Sequence, residues 1–427
     1  MGYISQNESS RTTRRAYLRT VAGIGGSLAV GTAASQTTRA TGDVIWRFET
    51  DADVFSSPTV VDGTVFVGSH DSNVYALDAA TGDKQWAFET GDFVVSSPTV
   101  ADGSVFVGSV DHSVYALDSK TGDQQWTFDA HGPVGSSPTV MDTTVVVGDA
   151  VGSVYALEMT TGDKQWETAL SGDAIHTSPT IKNGFAFVGS DDHTVYALDA
   201  TTGDEQWAFE TGAAVVSSLT VADGTVFVGS HDGNVYALDA TTGDKQWAFT
   251  TGSDVRSSPT VADDSVFVGS DDGRIYALDA ETGDKRWEFT TGLAVRSSPT
   301  VAAGTVFVGS GDNTVYGLDA ETGDSRWEFE AYAPVESSPT VVDGTVFVGS
   351  NDDSVYALGA GVGESSDGSR VRQGTLGHHS EATTDAGGGS TSEGDTSTVG
   401  IAGTLAAVAG IGGGGYLAYR QSSAREQ

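Results

Sequence analysis

Cysteine is missing from all 427 residues. Disulfides, a thiol nucleophile, a thiolate metal site and a lipid-modified N-terminal cysteine are therefore excluded. Positive charge is scarce: 21 Lys and Arg face 58 Asp and Glu, for a net charge of -37, and only six of the basic residues are Lys. A surface of that sign repels a phosphate backbone, so no nucleic-acid partner is expected. Helical periodicity is nearly absent between residues 41 and 360, and uncharged apolar runs are confined to the two ends of the chain. Acidic excess alone can mark disorder. Here 38% of the residues are hydrophobic and recur on a regular β pattern, as in a folded domain.

What the sequence has in quantity is repetition. Its eight tryptophans, Trp46, Trp86, Trp126, Trp166, Trp207, Trp247, Trp287 and Trp327, are spaced by 40 residues except for one step of 41. Between them recur "SSPTV" (Ser56 to Val60), "VFVGS" (Val65 to Ser69) and "VYALD" (Val74 to Asp78). A constant period of this length is the signature of a repeat architecture. Each block is a short run of Val, Phe, Tyr, Thr or Trp bounded by Gly, Asp or Asn, which reads as four strands per repeat. Asp62-Gly63, Asp102-Gly103, Asn183-Gly184, Asp223-Gly224 and Asp343-Gly344 lie between the first two strands, where a tight hairpin needs positive φ. The fold expected is all-β, an eight-bladed β-propeller.

The stretch Tyr75 to Trp86, "YALDAATGDKQW", places a glycine at the turn into the last strand and an indole four residues on. Blades cannot bury their own faces, so something flat and apolar must lie between them. Ala76, Asp78, Thr81, Gly82 and Trp86 resemble the tryptophan-docking motif of the propellers named after pyrroloquinoline quinone (PQQ), with Glu158 and Gly317 as single departures in two copies. Trp is never followed by Asp and no Gly-His element occurs within the repeats, which separates the pattern from WD repeats. Two half-motifs remain, "VYALGA" (Val355 to Ala360) and "ATGDVIW" (Ala40 to Trp46). Joined, they make the eighth motif, so the strand around Trp46 is expected to pair with Val355 to Leu358 and close the ring, removing the open edge.

The resemblance implies two kinds of function. Quinoprotein alcohol dehydrogenases of the family hold PQQ and Ca²⁺ in the funnel, over a tryptophan floor, commonly under a vicinal disulfide and among long insertions. This chain has no Cys, its Trp residues are all taken by the motif, and its repeats hold to 40 residues with one single-residue insertion. PQQ and calcium are accordingly disfavoured, catalytic residues are not assigned, and the Asp residues at the middle hairpins read as turn chemistry rather than as a metal site. The other branch is the non-catalytic, BamB-like scaffold. The expectation is an extracellular, membrane-anchored propeller that binds a protein or ligand, with a quinoprotein-type dehydrogenase or a purely structural envelope component as alternatives.

The ends of the chain bear on location. Residues 13–19, "TRRAYLR", precede an uncharged, Gly- and Ala-rich run, and residues 1–40 resemble a twin-arginine export signal. Residues 361–398 read as a flexible linker of Gly, Ser, Thr and acidic residues, with a reach of about 35 Å. Val399 to Tyr419 is free of charge and long enough for a transmembrane helix, and Arg420 and Arg425 put residues 420–427 in the cytoplasm. The propeller would then stand on the outer face of the cytoplasmic membrane. The acidic, Lys-poor composition resembles that of haloarchaeal proteins.

Repetition also supplies an internal control, because positions that vary between otherwise similar blades are free of the shared packing role. The residue before each "SSPTV" is Phe55, Val95, Gly135, His176, Val216, Arg256, Arg296 and Glu336. His176, Arg256, Arg296 and Glu336 are the candidate partner- or ligand-binding residues, converging at the mouth of the central channel. Two Arg on neighbouring inner strands suit an anionic group, since guanidinium forks match carboxylates. His70, His112, His193, His231 and Arg274 interrupt the middle hairpins and read as solvent-exposed turn residues.

Overall fold

A computed structural model describes residues 41–363 except Ser171, together with Ser365. The expected export signal, the transmembrane segment 399–419, the tail 420–427 and nearly all of the linker lie outside the described residues. Among the described residues no helix is long and apolar enough to cross a membrane.

Thirty-two strands form eight four-stranded antiparallel sheets, so the all-β, eight-bladed propeller is the observed fold. β1 (Val44–Glu49) is held back for the last blade. Blade 1 follows as β2 (Thr59–Val61), β3 (Thr64–Gly68), β4 (Asn73–Asp78) and β5 (Lys84–Glu89), ordered from the axis outward. Asp62 (φ 48°) and Gly63 (φ 75°) both adopt the left-handed conformation that the two-residue β2–β3 turn requires. β3 and β4 are buried on both faces because each blade is covered by a neighbour on either side. Gly68 is glycine for a packing reason: a Cβ there would sit 2.3 Å from Val94 of the chain leading into blade 2.

Ring closure follows the expectation. β1 pairs antiparallel with Ser354–Gly359, bringing Trp46 opposite Ala357. The turn that is continuous in the other blades is here made of two chain segments, with Gly42 N–H donating to Gly359 O at 2.8 Å and Gly359 N–H to Asp43 O at 2.9 Å.

Two circuits of hydrogen bonds explain why "SSPT" recurs. The second serine's backbone N–H donates to the same serine's hydroxyl in the next blade, as Ser57 to Ser97 at 3.0 Å, and the eighth step returns from Ser338 to Ser57. The threonine hydroxyl donates to the carbonyl before the next blade's threonine, as Thr59 to Pro98, and Thr340 closes the circuit on Pro58. Seven of the eight indole N–H groups likewise donate across a blade boundary, as Trp46 to Ala79 O at 2.9 Å and Trp287 to Ala320 O at 3.0 Å. The ring of Trp46 lies so close to Gly82 of the next blade that a Cβ there would meet it at 2.7 Å. Trp327, at the boundary with the split blade, is buried with its Nε1 unpartnered.

Candidate functional site

Connections alternate between the two ends of a meander. The first hairpin and the last turn emerge on one face, and the middle hairpin and the link to the next blade on the other. The first face repeats Asp-Gly and Thr-Gly-Asp. The link face holds all six histidines of the described residues and five of their six exposed large apolar side chains: Phe93, Val95, Val151, Leu293 and Tyr332.

The middle-hairpin aspartates are occupied. Asp71 Oδ2 accepts the Tyr75 hydroxyl at 2.6 Å and the Asp51 backbone N–H at 3.0 Å, which ties the hairpin to the link. Each tyrosine of the third strands finds such a carboxylate, as Tyr236 does in Asp232 and Tyr316 in Asp312. Burial and the adjacent carboxylate push the phenols up, to about 12 for Tyr236 and Tyr276. Among the described residues no three His, Asp or Glu side chains are grouped to hold a metal ion.

Arg256, Arg296 and Glu336 are brought together across three consecutive blades, and an aspartate joins them. Asp271 receives Arg256 Nε at 3.2 Å and Arg296 Nε at 3.1 Å, while Arg296 Nη1 reaches Glu336 at 3.2 Å and Arg256 Nη2 reaches Asp254 at 3.5 Å. Asp271 is only 14% exposed and holds the Arg296 guanidinium firmly protonated. His176 takes no part in these contacts; its Nε2 lies 3.5 Å from Asp191 of its own blade. His231 stands between, with Nδ1 3.9 Å from Asp254 and a buried, unpartnered Nε2. Burial, and then the Arg256 charge, push its pKa down. The result is an arc over blades 4–8 that alternates base and acid: His176, Asp191, His231, Asp254, Arg256, Asp271, Arg296, Glu336.

Blades 1 and 2 carry something different. His70 is sandwiched between Phe55, at 4.5 Å and 30°, and Phe93, at 4.8 Å and 14°. Burial against these rings lowers its pKa, opposed by Asp53. The expectation of solvent-exposed turn histidines therefore fails for His70 and for His231, both partly buried. It holds for His112 and His193, exposed at positive φ.

The family described as outer membrane protein assembly factor BamB matches the chain over residues 9–92, 31–173, 130–220, 213–302 and 292–414. The chain belongs to this BamB-like family. No curated protein matches it in sequence. Among solved structures it is similar to BamB from Moraxella catarrhalis, at 19% identity and a TM-score of 0.65, over 74% of this chain and 99% of that one. The computationally designed Ika8 protein is similar at 20% identity and a TM-score of 0.68, over 74% of this chain and 100% of that one. So is quinohemoprotein alcohol dehydrogenase from Comamonas testosteroni, at 17% identity and a TM-score of 0.64, over 75% of this chain and 76% of that one. At such identities the likeness is one of fold, and fold does not fix function.

Asp191, Asp254 and Asp271 were not among the sequence candidates, nor was the aromatic stack. A signal exists for Asp191, Asp271 and His70. The residue after each "VFVGS"-type block reads His70, Val110, Ala150, Asp191, His231, Asp271, Gly311 and Asn351 around the ring. It varies as freely as the position before "SSPTV".

Proposed function

We propose that this BamB-like propeller is an exported binding scaffold, tethered to the outer face of the cytoplasmic membrane, and that it engages a protein or an anionic ligand with its link face. The observation that carries the reading is the concentration of the histidines and the exposed apolar side chains, together with Arg256 and Arg296, on that one face of an otherwise repetitive ring. His176, Arg256, Arg296 and Glu336 are proposed contact residues. Ion pairs exposed by a third or more contribute only about 0–1 kcal/mol each, so a partner's carboxylate can exchange with Asp254 on the Arg256 guanidinium at little cost, while Asp271, 14% exposed, stays in place. The eight tryptophans serve as docking groups between blades, supported by the indole hydrogen bonds that seven of them make and by the glycines beneath them. With every indole used in this way, none is left to floor a quinone, and PQQ and calcium are not part of the proposal. Export, the membrane anchor and the haloarchaeal character rest on residues 13–19, residues 399–419 and the charge of -37.

The test is capture of partners from intact cells at high salt, comparing the wild-type chain with Arg256→Ala/Arg296→Ala. These positions tolerate Gly and Val in other blades, so the fold should persist while capture weakens. Undiminished capture in a salt-matched assay overturns the role of the arginines.

A further inference from the structure

The link face is divided. Around the axis, blades 4–8 carry the alternating arc, whereas the corresponding positions of blades 1–3 include Phe55, His70, Phe93, Val95, Val110 and Ala150. Phe93 is 46% and Val95 37% exposed. Packing does not demand a phenyl ring at residue 93, because the same position is Ala174, Ala214 and Ala294 in other blades and Pro133 and Pro334 in two more. Its backbone does what every blade needs, accepting Val110 N–H at 2.9 Å, and any residue can supply that. Apolar surface left in water where a neighbour manages with alanine marks a contact to something else.

Charge says what kind of contact. The links and middle hairpins of blades 1–3, residues 50–58, 69–73, 90–98, 109–113, 130–138 and 149–153, contain six aspartates and neither Lys nor Arg. Asp53 and Asp92 flank the stack directly in sequence. A polyanion is repelled there. A cation beside an apolar group is favoured twice, by the carboxylates and by the faces of the exposed rings.

We infer that the Phe55–His70–Phe93 stack and Val95 form a docking site for a protein segment presenting an aromatic or aliphatic side chain next to Arg or Lys. This rests on the scaffold reading and gives its partner a chemistry. The apolar side chain covers Phe93 and Val95, and the cation stays at the acidic rim, the division between buried anchor and wet edge found in protein interfaces.

Calorimetric titration of the full-length chain at one fixed ionic strength tests it, using a capped hexapeptide of alternating tryptophan and arginine. Capped hexapeptides alternating tryptophan with glutamate, and alanine with arginine, serve as controls. The first should bind about tenfold more tightly than either control, and Phe93→Ala should remove about that factor. Val95→Ala should act in the same direction, while Leu293→Ala, at a still more exposed apolar side chain in the link to blade 7, should change nothing. Melting curves of the variants establish that each is folded. No binding of the tryptophan–arginine peptide, equal binding of all three, or indifference to both Phe93→Ala and Val95→Ala overturns the inference. Wild-type capture of partners from cells, run alongside, keeps the two levels apart: if it persists without peptide binding, only this site falls, and if it is absent the scaffold reading falls with it.

Discussion

In seven blades the tyrosine hydroxyl of the third strand meets an aspartate four residues upstream, but blade 3 has Val151 at that place. Its carboxylate has moved to Asp149, fully buried, which still accepts the Tyr155 hydroxyl at 2.9 Å and the Gly132 N–H at 3.1 Å. Asp149→Ser should therefore destabilise by about 1–3 kcal/mol, the cost of stranding buried donors, and adding Val151→Asp should recover most of it, as read from denaturant midpoints. The tyrosines make a second, pH-dependent prediction. Their folded pKa is raised, to about 12 for Tyr155, Tyr236 and Tyr276, so the stability they contribute is complete below about pH 10 and is lost as pH rises toward 12. Melting temperature should fall across that window, with phenolate absorbance delayed until unfolding. These roles show why the candidate site was only half legible. Varying residues in the links just ahead of the inner strands could be compared blade by blade, which found Arg256, Arg296 and Glu336. Their shared carboxylate comes from a hairpin 15 residues from Arg256 and 25 from Arg296, and nothing local announces that contact.

At the level of strands and blades, legibility was high because one 40-residue pattern had to satisfy the same contacts eight times. The period, the hairpin turns and the joining of "ATGDVIW" to "VYALGA" all appear as read. The exception is chemical rather than topological: "SSPT" reads as a strand, yet its hydroxyls are the rivets between blades, a role that no periodicity reveals. The boundary between blade 7 and the closing blade lacks the indole hydrogen bond that the other seven boundaries have. Trp287 and Trp327 are buried to the same degree, but only Trp287 has an acceptor for its indole N–H. Trp287→Phe should cost about 1 kcal/mol more than Trp327→Phe, and the comparison of their melting temperatures isolates the hydrogen bond from the ring.

The whole molecule carries a charge of -37, most of it on exposed turns and strand edges. Such a surface repels itself unless counter-ions screen it, over a length of about 3 Å at 1 M salt and about 30 Å at 0.01 M. The melting temperature should drop on transfer from molar to millimolar salt, and an unchanged value would refute the high-salt reading. The split blade has a further consequence, which concerns synthesis. Arg47 hydrogen-bonds to Ser354, 307 residues later, so β1 leaves the ribosome first and must wait, with an unpaired edge, until the last propeller strand has been translated. No nascent chain shorter than the complete repeat array can shut the ring. Every product terminated before Ser354 therefore keeps the strand bearing Trp46 without its partner, and wholeness of the propeller is reported at a single seam.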